Sequence, residues 1–134
     1  RVRARQAGLR LRVWKCDVLR DALPADFDVV MSSLFLHHLS DSAAAETLRR
    51  MGVAARTLVL IADLERSGWG LLLAKYGVRF LTRSSVVHFD APQSVRAAFS
   101  EAELGAIAAQ AGLDGACITR HFPARLRLVW ERER

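Results

Sequence analysis

Cysteine is scarce in this chain: Cys16 and Cys117 are the only two among 134 residues. They lie far apart and form no Cys-x-x-Cys pair, which argues against a disulfide-stapled scaffold and against a thiolate metal site. A reduced, cytoplasmic setting fits this usage best. Long apolar runs are missing too. The longest stop after a few residues, far short of the roughly 20 needed to span a bilayer, so no membrane partner is expected. Glycine is thin at the start, with Gly8 alone before Gly52. No Walker-type loop and no Gly-x-Ser-x-Gly elbow occurs, which removes the usual grounds for nucleotide hydrolysis or serine-hydrolase chemistry.

Lysine is nearly absent as well. Lys15 and Lys75 are the only two, so 18 of the 20 basic residues are arginine. The formal charge of +6 raises the question of a nucleic-acid partner. The arginines are scattered, however, with clusters only at the two ends, and the Ala- and Leu-rich background is that of GC-rich coding. Nucleic-acid binding is therefore not the expected role. Hydrophobic residues make up 51% and charged residues 25%, an ordinary globular balance for one domain of this length. The chain begins with Arg1 and its first methionine is Met31, inside an apolar run. It reads as a piece whose native N-terminus is missing.

What is present is an alternation of strand and helix signals. Residues 1–8 read as the tail of a helix stopped by Gly8. In 9–16, Leu9, Leu11 and Val13 alternate with Arg10, Arg12 and Trp14, the period of a strand with one buried face. "FDVVMSS" and "TLVLIAD" are short apolar runs without alternation, the pattern of parallel strands covered on both faces. Between them, "SDSAAAETLRRMGVAAR" opens at Ser40 or Asp41 and stripes Ala44, Leu48 and Met51 along a helix. Strand, helix and strand within this span make a βαβ unit.

Beyond Asp63, Trp69, Leu72, Leu73, Tyr76 and Phe80 recur at helical spacing, weakened by Gly68, Gly70 and Gly77. Residues 82–99 show no clear period and read as a connecting or covering segment. Ser100 and Glu103 form a capping box for a helix striped by Leu104, Ile107, Ala108 and Ala111 and ended by Gly112. "ACITRH" and "ARLRLVWER", joined through "FPA", read as an antiparallel hairpin. The fold class expected is α/β: a Rossmann-like, mostly parallel sheet, helices on both faces, a C-terminal antiparallel hairpin and the N-terminal strands missing. In such sheets ligands lie beyond the carboxyl ends of the strands. That directs attention to Asp17 and Val18, to Ser32, Ser33 and Leu34, and to Asp63.

"CDVLRDALPADFDVVMSSLFLHHLSD" resembles the middle of a class I S-adenosylmethionine-dependent methyltransferase of the small-molecule type. "TLVLIADLERS" resembles that family's fifth strand, "SVRAAFSEAELGAIAAQAGL" its sixth-helix region, and the closing hairpin its sixth and seventh strands. The resemblance covers the whole chain as a single domain, residues 1–134, with a lid-like insertion at about 67–99.

The resemblance implies S-adenosyl-L-methionine as cofactor, a small-molecule acceptor as substrate and direct displacement as the reaction. It implies that Asp17 accepts from the adenine amino group and that Val18 offers its backbone N–H to the ring. Ser32, Ser33, Leu34 and His38 would then flank the methionine part of the cofactor. It puts His37 where an acceptor meets the methyl group, as an orienting group or base, Tyr76, His88 and Asp90 in the segment that covers the acceptor, and Asp63 beside it. The residues alone leave plainer roles open: a turn cap for Asp17, strand-end hydrogen bonds for the serines, packing for the histidines and core for the Trp69–Tyr76 stripe.

Adjacent histidines diverge on a strand or helix, and His88 and His121 add no ligand spacing, so no metal site is expected. The family's glycine-rich loop and ribose-binding acid do not occur in the sequence. Hence the 134 residues alone are expected to bind the cofactor poorly and to be inactive, with one edge of residues 28–33 exposed. From another class, a non-catalytic interaction module on a degenerate methyltransferase fold also accommodates the sequence.

Overall fold

The structure is a computed structural model and describes residues 8, 12–25 and 27–133. Strand β1 (Phe27–Ser33) leads through a 3₁₀ turn (Leu36–His38) into helix α1 (Asp41–Ala54) and strand β2 (Ala55–Leu64). β1 and β2 are parallel, with Val30 opposite Val59 and Ser33 opposite Ala62. Ser40 caps α1, its hydroxyl accepting from the Ala43 amide at 3.4 Å. The expected stripe is buried: Ala44, Leu48 and Met51 all face the core.

A continuous helical segment follows as α2 (Gly68–Leu72), a π-helical turn (Leu73–Gly77) and α3 (Val78–Leu81). Residues 82–99, read from sequence as a connection, instead contain helix α4 (Ser85–Ala97). Val95 is its one buried residue, so no apolar stripe marks it, and Pro92 in its interior removes one amide donor. Helix α5 (Glu101–Gln110) carries the full capping box, and Gly112 beyond it takes φ +75°. Strands β3 (Cys117–His121) and β4 (Arg125–Glu131) form the expected antiparallel hairpin.

The sheet order is β1-β2-β4-β3, so β4 lies antiparallel between β2 and β3. Helices α1 and α5 pack on each other and on one face of the sheet. Their contact buries Leu48 and Leu104 against Val59, Ile61, Leu126 and Leu128. Each such side chain stabilises the fold by roughly 2 kcal/mol. The opposite face presents Val29 and Met31, 48% and 62% exposed. Among the described residues nothing covers it, and β1 has no neighbour on its outer edge.

The strand read over residues 9–16 is corrected. Residues 9–11 and the helix read over 1–7 lie outside the described residues, and 12–16 carry no regular secondary structure. An alternating segment becomes a strand only when a ladder partner takes its amides and carbonyls, and no described strand lies beside this one. Gly8 does take the left-handed φ of +69° expected of a helix stop.

Candidate active site

β1 and β2 end side by side, and the site is built where they stop. The Leu34 amide still reaches the Ala62 carbonyl at 3.0 Å, but Leu34 itself takes φ +53°, which turns the chain out of the sheet. The 3₁₀ turn then closes with the His38 amide on the Phe35 carbonyl and the Leu39 amide on the Leu36 carbonyl. Asp63, near the end of β2, fixes this turn in place. Its Oδ2 accepts from the amides of Phe35 (3.1 Å) and Leu36 (2.7 Å), and its Oδ1 from the Leu64 amide (2.7 Å). His37 Nδ1 lies 2.5 Å from the same Oδ1.

Both partners are buried, His37 at 6% and Asp63 at 4% exposure. A carboxylate that takes three backbone amides accepts here too, so Nδ1 donates to it and Nε2 is the ring nitrogen outside this network. Among the described residues no buried side-chain nitrogen or oxygen lacks a hydrogen-bond partner. Nε2 makes no bond of its own, so it reaches open space, and the space His37 borders is a cavity of about 630 Å³. This is an imidazole held in one orientation at the wall of a pocket.

The cavity is largely apolar. Leu73, Ala74 and Val78 line it from the irregular helix, Val95 from α4, and Phe122 and Pro123 from the hairpin turn. The turn can approach α2 because residue 70 is glycine: a Cβ there would stand 2.8 Å from that of Ala124. Polar groups at the wall are His37, His38, Asp90, Ser94 and Arg125.

The expected site residues divide between places. Leu34, His37 and His38 line the cavity, and Asp63 holds His37 from behind. The rings of His37 and His38 lie 4.0 Å apart between centroids, converging where divergence was expected, because the 3₁₀ turn allows side-chain torsions to bring them together. Ser33 is exposed and borders a second cavity of about 460 Å³ with Leu34 and Ala62, while Ser32 is half-buried on the core side.

Tyr76 is exposed beside the Lys75 ammonium, and His88 Nε2 meets the Thr82 carbonyl at 2.8 Å. Neither borders the cavity. Asp17 and Val18 stand in a turn held against α1, where Arg50 donates to the carbonyls of Val18 and Asp21. Within that turn Asp17 Oδ1 accepts from the Leu19 amide at 3.0 Å. Asp90, expected from the covering segment, does border the cavity, whereas sequence reading missed the contribution of Ser94 and Arg125. Among the described residues no three His, Cys, Asp or Glu side chains cluster as a metal site, and no described helix is long and apolar enough to cross a membrane.

The sequence matches no protein-family model and no curated relative. Solved structures do match in fold. The S-adenosylmethionine-dependent methyltransferase SibL, in its apo form, superposes with a TM-score of 0.68 at 18% identity, over 99% of this chain and 39% of that one. An O-methyltransferase family 2 protein of Planctomyces limnophilus, in complex with apigenin, gives 0.63 at 16% identity, over 97% and 38%. The magnesium protoporphyrin IX methyltransferase of Synechocystis, with SAH bound, gives 0.55 at 18% identity, over 88% and 49%. The chain thus spans less than half the length of each of these three proteins. Its fold is the Rossmann-like fold that these methyltransferases share.

Proposed function

We propose that the chain serves S-adenosylmethionine-dependent methyl transfer to a small, apolar or aromatic acceptor, with His37 as the base. The observation that carries this reading is the His37–Asp63 pair at the wall of an apolar cavity, in a methyltransferase fold.

The residues at the strand ends fit the cofactor. Ser33 is small, exposed and beside an open cavity, Leu34 turns the backbone away, and the side chain of Asp17 is half exposed. Asp17 and Val18 would hold the adenine, and Ser32, Ser33, Leu34 and His38 the methionine end. When bound, S-adenosylmethionine supplies a methyl group already activated by its sulfonium, so the protein needs no strong nucleophile of its own. What this chain adds is alignment, dryness and a place for a proton. Helices α2, α3 and α4 act as the lid and keep water from the acceptor. Nε2 of His37 takes the acceptor's proton as transfer proceeds, and Asp63 stabilises the imidazolium so formed.

The test is calorimetric titration of S-adenosylhomocysteine into the protein expressed from its full coding region, with Asp17→Ala alongside. Binding weakened by ~1–3 kcal/mol in the variant, the scale of a lost charge-assisted bond, is the expected result. No binding by the folded protein would favour a fold kept without its cofactor, an interaction module.

A further inference from the structure

Arg125 opens β4 and borders both cavities, the apolar one beside His37 and the smaller one beside Ser33. It is half-buried, yet among the described residues its guanidinium has no hydrogen bond or ion pair. Arg79, Arg83, Arg96 and Arg127 also make no side-chain bond among the described residues, but they are exposed, while several others are paired. Arg120 pairs with Glu65 at 2.8 Å and Glu101 at 3.0 Å, Arg66 with Glu103, and Arg132 with the Gly52 and Ala55 carbonyls. No buried side-chain nitrogen among the described residues lacks a partner, so its N–H groups reach open space, and at the rim of an apolar cavity they are placed to donate to an acceptor that a ligand brings. Asp90 is the one acid bordering the larger cavity; it is exposed on α4 and makes no ion pair with Arg125. Arg127 and His121 border only the smaller cavity.

We propose that Arg125 sets acceptor specificity by binding a carboxylate on the acceptor, while the group to be methylated lies at His37. The inference rests on the reading of the larger cavity as the acceptor site. A planar guanidinium matches a carboxylate with two parallel N–H bonds, and one positive charge balances one negative charge. A phosphate dianion would leave a charge uncompensated among Leu73, Val78, Val95 and Phe122, which such walls penalise. The acceptor class is therefore an apolar or aromatic acid that carries a second, methylatable group.

The experiment compares 3-hydroxy-2-naphthoate with 2-naphthol, which differ by the carboxylate alone, in calorimetric titrations of the full-length protein. The acid is expected to bind about tenfold more tightly, the scale of a hydrogen-bonded charge pair. Arg125→Gln should remove that preference by weakening the acid only, and Arg125→Lys should keep part of it, with Arg127→Gln as a control that leaves it unchanged. Equal affinities in the parent protein, a preference that survives Arg125→Gln, or no binding of either probe would each overturn the proposal. The methyltransferase reading fails separately: if S-adenosylhomocysteine does not bind while the acid preference still follows Arg125, only that reading is lost.

Discussion

Asp63 Oδ1 accepts from His37 Nδ1 at 2.5 Å while its other oxygen takes the amides of Phe35 and Leu36. One buried carboxylate therefore both shapes the loop and orients the His37 imidazole. The two residues should separate on substitution. Asp63→Asn puts an amide donor against N–H groups and should cost about 2–4 kcal/mol of stability, since each unsatisfied buried donor costs ~1–3 kcal/mol. His37→Asn loses a single bond of this network and should cost about 1 kcal/mol, while slowing the proposed methyl transfer about a hundredfold or more. Urea denaturation and single-turnover rates measure the two effects. Equal destabilisation by both variants would contradict the network.

Gly52 on α1 tests how tightly the helix meets the segment after α5. A Cβ at this position would lie 2.7 Å from Leu113 Cδ2, and Leu113 is itself buried. Alanine gains up to about 1 kcal/mol in helix propensity, but overpacking costs roughly 1–3 kcal/mol. The expected net result for Gly52→Ala is a loss of about 1 kcal/mol. A thermal melt above that of the parent would show that Leu113 can move aside.

The α5 capping box predicts a pH dependence. The Ser100 backbone amide, then its hydroxyl and Arg66, hold the Glu103 carboxyl below its ordinary value. A carboxylate lowered in the folded state contributes stability above its unfolded pKa and loses it as pH falls through the folded value. The stability gap between the parent and Glu103→Gln should therefore be largest near neutrality and shrink on acidification below the ordinary carboxylate range. Ser100→Ala should cost about 1 kcal/mol, read by chemical denaturation at neutral pH.

Met31 and Val29 present apolar side chains on the uncovered sheet face, next to the unpaired edge of β1. Such edges associate, and inward or edge lysines prevent it. Met31→Lys should lower concentration-dependent light scattering of the 134-residue chain without changing its melting temperature. Unchanged scattering would place the sticky surface elsewhere.

Much of this architecture is legible in the residues. The capping signals at Ser40 and Ser100, the Leu48 stripe and the alternating hairpin each state a local preference that the packing also satisfies. Helix α4 is hidden because one buried residue, Val95, leaves no period to read. The His37–Asp63 contact is hidden for another reason. The two residues come from separate elements, and only the parallel register, Ser33 opposite Ala62, brings their turns together. Arg125 left no signal at all, since an arginine alternating along a hairpin strand looks like solvated surface until a cavity is found beside it.

The sheet order has a consequence for synthesis on the ribosome. β4 fills the slot against β2, yet α2 to α5 and β3 are all made before it. While those segments emerge, β2 carries one unoccupied side, and the nascent sheet can close only when residues 125–131 have left the exit tunnel. Co-translational folding of this domain is thus gated by its late strand, and the interval before that strand arrives is when a holdase chaperone has most to do.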